Sequence, residues 1–115
     1  MGEPIYHLAL EADWSDPSES YRGSTIGRSV DEVGFVHAST ATQVSRVADL
    51  WYRGREDVVL LEIDPDRLDV PLRYEAADDG ERFPHIYGPL PKAAVLRATP
   101  LRRGGDGALQ LGHLG

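Results

Sequence analysis

The chain has 115 residues, 41% of them apolar, which suffices for one hydrophobic core and not for two. Its formal net charge of −7 weighs against a broad basic surface for nucleic acid or acidic membrane. The sequence contains no cysteine, which excludes disulfides, thiolate metal ligands and cysteine nucleophiles together.

Met1-Gly2-Glu3-Pro4 has neither a basic region nor an apolar run, so no signal peptide is expected. No apolar stretch approaches the roughly 20 residues of a membrane span, and the expectation is a soluble cytoplasmic protein. Pro4 to Leu10 reads as a first strand, with Ile5, His7 and Ala9 on one face and Tyr6, Leu8 and Leu10 on the other. The second face is the more apolar and is expected to meet the core, leaving His7 on the more polar side. Ala12 to Pro17 begins a short helix around Trp14, and Ser18 to Ser29 reads as a loop. Val30 to Val33 then leads through Gly34 into Gly34-Phe35-Val36-His37-Ala38-Ser39-Thr40, a strand running directly into a helix. His37 and Ser39 stand two apart and are expected on one face. Thr40 with Gln43 has capping-box spacing, at a helix N-terminus whose free N–H groups favour anions.

Ala41 to Arg53 is predicted as the main helix, with Val44, Val47, Ala48 and Trp51 forming its apolar stripe and Gly54 closing it. Asp57 to Ile63 follows as a strand whose Val58-Val59-Leu60-Leu61 run is typical of burial on both faces. Asp64-Pro65-Asp66-Arg67 has the order of a capped helical turn. Val70 to Ala76 and Phe83 to Tyr87 are strands joined by the acidic turn Asp78-Asp79-Gly80-Glu81. Ala93 to Leu101 is a last strand, and the glycine-rich segment from Arg102 to Gly115 is expected to be a frayed tail. Strands outnumber helices, and the late strands are separated by turns. A single α+β domain over residues 1–101, with a split, mostly antiparallel sheet and one main helix, is the expected fold class.

Four polar strand segments carry groups able to do chemistry: His7; His37 with Ser39; Arg73 with Glu75; and His85 with Tyr87. Each pair is spaced by two, so a strand presents both members on one face. Histidine can act as acid, base or donor near neutral pH, a phenol can stack or orient a ligand, and a carboxylate can stabilise developing positive charge. Three histidines on separate strands also permit zinc, although no His-x-His or His-x-x-x-His spacing supports it and no metal ligand is assigned. His113 in the tail is given no role.

Ile5-Tyr6-His7-Leu8, Gly34-Phe35-Val36-His37-Ala38-Ser39-Thr40, Leu72-Arg73-Tyr74-Glu75 and Phe83-Pro84-His85-Ile86-Tyr87-Gly88-Pro89-Leu90 resemble the blocks of the bacterial domain-of-unknown-function 952 family. The likeness runs over about residues 4 to 100. That family is in turn similar to the ADP-ribosyltransferase superfamily and RNA 2′-phosphotransferases, whose split sheets clamp NAD or an ADP-ribosylated intermediate. The resemblance implies an ADP-ribosyltransferase-like cleft taking NAD as cofactor, with His7 holding a ribose hydroxyl. It also implies that His37, with Ser39 and Thr40, orients the nicotinamide side or a phosphate and that Tyr87 stacks on the ring. His85 or Glu75 would then act on the oxocarbenium-like state. A transferase acting on a small molecule or protein acceptor is the reading that follows. Its rivals are a non-catalytic small-ligand binding module and a histidine-dependent metal hydrolase.

Overall fold

The computed structural model describes residues 3–112 and 114. In chain order the elements are β1 (Ile5–Leu10), α1 (Glu11–Trp14), β2 (Ser20–Tyr21), β3 (Gly23–Thr25), β4 (Arg28–Ser29), α2 (Val30–Val33), β5 (Val36–His37) and α3 (Val44–Trp51). There follow β6 (Val58–Ile63), β7 (Leu72–Ala76), β8 (Arg82–Ile86), β9 (Leu90–Pro91), β10 (Val95–Pro100), β11 (Arg102–Arg103) and β12 (Leu109–Gln110). Single 3-10 turns cover Pro65–Arg67 and Lys92–Ala94; in the first, Asp64 accepts from the Asp66 N–H, as the Asp-Pro order predicts.

Two three-stranded sheets organise the chain. In the first, β6 lies between β1 and β10, with Ile5 opposite Ile63 and Leu10 opposite Val58. The β6 run is apolar on both faces and must be covered on both. Val59, Leu61 and Ile63 pack with Ile5, Ala9, Val36 and Ile86 in one cluster, while Val58 and Leu60 pack with Tyr6, Leu8, Val44, Ala48 and Tyr52 in another. This corrects the expectation for β1: its neighbour is covered on both faces, so its own Ile5-His7-Ala9 face is interior as well. His7 is only 2% exposed.

In the second sheet β8 lies between β5 and β7. The β7–β8 hairpin closes through Ala77 and Gly80, as the acidic turn predicts. Val36 and Ile86 face the core, and their alternating neighbours face away from it. One stretch of chain hydrogen-bonds to both sheets. Val36 and His37 pair with β8, Ala38 donates to the Pro84 carbonyl at 3.0 Å, and Ser39 then exchanges two backbone bonds with Tyr6 at 2.7 Å each. All strand pairings among the described residues are antiparallel. The result is a small single domain of mixed helix and strand with few helices.

Several local readings are corrected. Val30–Val33 is a helical turn with a full capping box, in which Ser29 and Glu32 satisfy one another's backbone groups. Gly34, read as a strand entry, closes that turn instead in the left-handed conformation, φ +102°, and its N–H bonds the Val30 carbonyl at 2.7 Å. At the main helix only half the expected capping box forms: the Thr40 N–H donates to Gln43 Oε1 at 3.0 Å, while the Thr40 hydroxyl bonds Thr42. Residues 41–43 are turn, and α3 ends at Trp51 rather than Arg53. Residues 18–29, read as loop, contribute the short strands β2, β3 and β4.

The segment from Arg102 onward does not show the expected fraying among its described residues. β11 pairs with β12 around a Gly-rich turn, and Leu109 is buried at 8% exposure, with Leu111 and Leu114 packed nearby on the α3 side of the first sheet. Leucines spaced between glycines supply enough apolar surface to hold this hairpin down. His113 lies outside the described residues.

Candidate functional site

The outer face of the second sheet collects most of the residues singled out from the sequence. In register, His37 on β5 stands opposite His85 on β8, and His85 stands opposite Arg73 on β7. One step along, Glu75 stands opposite Phe83. Alternation puts all of these on one face, because every pairing here is antiparallel and the side chains repeat every second residue.

The side chains form a connected group. His85 Nδ1 lies 2.8 Å from Glu75 Oε1, and the Tyr87 hydroxyl donates to that same oxygen. Phe35 stacks on His85 with ring centres 4.1 Å apart and meets His37 edge-on at 4.7 Å. The His37 and His85 rings are 5.3 Å apart and nearly perpendicular. The Arg73 guanidinium lies 5.4 Å over the Tyr87 ring.

These contacts set the charges. Hydrogen bonds from Tyr87 and then His85 hold the Glu75 carboxyl below its usual range, so it is ionised at neutral pH. The same bond to Glu75 raises the Tyr87 phenol. Partial burial, reinforced by the neighbouring His85, lowers the His37 imidazole, which favours its neutral form. The group presents one anion and imidazoles beside it.

A cleft of about 430 Å³ opens beside this face, where β1, β5, β8 and α3 meet. His7, His37 and His85 line it, together with Phe83, Val47 and Trp51. His7 is placed differently from the others. Its Nδ1 bonds the His37 carbonyl, so that nitrogen carries the proton, and Nε2 accepts from the Tyr21 hydroxyl at 2.8 Å. Burial then pushes its pKa down to about 4, and burial likewise raises the Tyr21 phenol. Both ring nitrogens of His7 are thus committed to the protein, and the bond to the His37 carbonyl fixes the strand that carries the His37 ring.

The sequence-derived residues therefore divide. His37, His85, Glu75 and Tyr87 come together, and His7 adjoins them through its bond to His37. Ser39 is buried at the bridge to Tyr6, and Thr40 lies on a separate depression with Tyr74 and Asp66, so neither lines the cleft. Phe35, Phe83 and Trp51 were not singled out for the site. Phe35 stands two before His37 and Phe83 two before His85, so the alternation that paired the polar residues also pointed to these rings. Among the described residues, no three histidine or acidic side chains are grouped to hold a metal ion. No helix among them is long and apolar enough to cross a membrane.

Fold and site together define a small α+β domain with a histidine-lined cleft beside an antiparallel hairpin. The chain belongs to the family described as "Protein of unknown function (DUF952)", whose model matches residues 9–98. It is similar to protein CC0527 from Caulobacter crescentus, whose crystal structure superposes with a TM-score of 0.82 at 34% identity over 94% of both chains. The solution NMR structure of that protein gives a TM-score of 0.78 at 34% identity, covering 94% of this chain and 92% of that one. No curated protein matches the chain.

Proposed function

We propose that the cleft binds NAD or an ADP-ribose-like nucleotide, and that His37, His85 and Glu75 act at the ribose carbon bearing the leaving ring. The observation that carries this reading is the convergence of Tyr87 and His85 on one oxygen of Glu75, beside the His37 ring. It agrees with the likeness of the family's sequence blocks to the ADP-ribosyltransferase-like superfamily. In such a transfer the bond between the ribose carbon and the ring nitrogen breaks, and the ring leaves with the electron pair. The Glu75 carboxylate, ionised and oriented by two donors, stabilises the positive charge left on the sugar. An acceptor hydroxyl or amine attacks that carbon and gives its proton to the neutral His37 imidazole. His7 serves by holding the His37 backbone in place rather than by gripping the sugar itself.

The commitment of both His7 nitrogens also favours a second reading, a non-catalytic module using the same cleft. An amide chemical-shift titration with NAD and ADP-ribose tests the nucleotide cleft first. Shifts confined to residues 35–38, 73–75 and 83–87 are expected, and unperturbed spectra at millimolar nucleotide would sink it. Nicotinamide release by the intact chain, lost in Glu75→Gln while binding persists, separates the enzyme from the module.

A further inference from the structure

Trp51 belongs to the inward stripe of α3 by spacing, following Val44, Val47 and Ala48, yet it is 70% exposed while Val44 and Ala48 are buried. The stripe runs off the end of the core and into the cleft, where Val47 and Trp51 form part of the wall. Trp14, by contrast, packs against Tyr21 and beneath Lys92. No ring or cation among the described residues stacks on Trp51.

On the far side of His85 the surface changes character. Arg73, opposite His85 in register, rests on the Tyr87 ring and makes no ion pair among the described residues. From the helix to the hairpin the order is therefore an indole with apolar neighbours, two imidazoles, then a guanidinium. A cleft of about 430 Å³ is at the small end for ligand pockets, with room for a ring and its sugar, and Arg73 stands outside its lining.

Resting on the nucleotide reading above, we infer that the ligand is held at two ends: Trp51 stacks on its flat heterocycle inside the cleft, and Arg73 pairs with its phosphate outside. The sugar then spans His37 and His85. Charge complementarity fits this order, because the Arg73 guanidinium lies beyond the sugar and the ring end of the cleft is apolar. An exposed indole supplies a large rigid face, and stacking tolerates many heterocycles. The leaving ring thus occupies the Trp51 end, which leaves the bond to the sugar beside His85 and Glu75.

The test is the affinity of the full chain for NAD, read by Trp51 fluorescence and indole N–H shifts in a Trp14→Phe background. Trp51→Ala, followed by amide shifts, and Arg73→Gln are each expected to weaken binding by at least about fivefold, while Trp51→Phe stays within about twofold. Trp51 is mostly exposed, so unchanged melting temperatures should accompany these losses. If NAD binds all variants equally, the two-ended arrangement is overturned and the cleft reading stands. A loss at only one of the two positions also overturns it. If NAD fails to bind even the parent protein, the nucleotide reading and this inference fall together.

Discussion

His7 sits neutral in the interior because burial penalises its charged form, outweighing the His37 carbonyl that favours a proton on the ring, while its second nitrogen accepts from the Tyr21 phenol. Its folded pKa of about 4 lies below the ordinary 6.5, so the unfolded chain binds the extra proton first. Stability should therefore be fully present above pH 6.5 and fall by on the order of 3 kcal/mol as the pH drops to about 4. His7→Asn keeps a donor toward the His37 carbonyl and cannot titrate, so it should flatten that part of the profile in urea melts at stepped pH. An undiminished slope would assign it to other groups. Glu75→Gln removes the anion that raises the Tyr87 phenol, so the Tyr87 titration, followed by carbon NMR of the ring, should move to lower pH. These residues were legible as pairs because strand alternation is a strict geometric rule. The interior role of His7 was not, because burial of its face depends on what covers β6 from elsewhere in the chain.

At the scale of elements, the turn before β5 determines where Phe35 and His37 point. Gly34 takes φ +102°, and a Cβ added there would meet no other atom, so Gly34→Ala tests backbone conformation alone. It should cost about 1 kcal/mol in thermal or urea unfolding; an unchanged midpoint would show that the turn relaxes freely. Gln43 ties the start of α3 to the β7–β8 hairpin, donating to the Arg82 carbonyl at 2.7 Å and to Glu81 at 3.0 Å while accepting from Thr40. Gln43→Leu leaves the carbonyl and the Thr40 N–H unpaired and should destabilise by about 1–3 kcal/mol, with the loss visible as faster amide exchange at the Thr40 N–H. The helical period of α3, the apolar β6 run and the acidic hairpin were readable from local pattern. The α2 turn is harder to read although Ser29 and Glu32 carry the capping-box spacing, since four residues give no period to recognise.

Across the whole molecule, the C-terminal hairpin is part of the core. Arg103 reaches the Gly54 carbonyl at 3.2 Å and Glu56, and the Gly54 N–H bonds the Gly107 carbonyl at 2.8 Å. A chain ending at Leu101 should lose about 2–4 kcal/mol, because Leu109 and its apolar neighbours no longer cover the cluster beneath α3. Equal urea midpoints for the two chains would show that the hairpin contributes nothing. Composition suggested a loose end there. Glycines mark turns as readily as disorder, and only the position of the cluster beneath decides between them.

The four residues from Val36 to Ser39 pass from one sheet to the other, the first three bonding β8 and Ser39 bonding Tyr6, so the sheets meet along a seam at Ser39. A ligand filling the cleft, walled by His7 and Leu8 of the first sheet and by Phe83 and His85 of the second, would therefore clamp that seam. Its binding should slow exchange of the Tyr6, Ala38 and Ser39 amides to the rate set by global unfolding, and it should raise the melting temperature of the entire protein in one cooperative step.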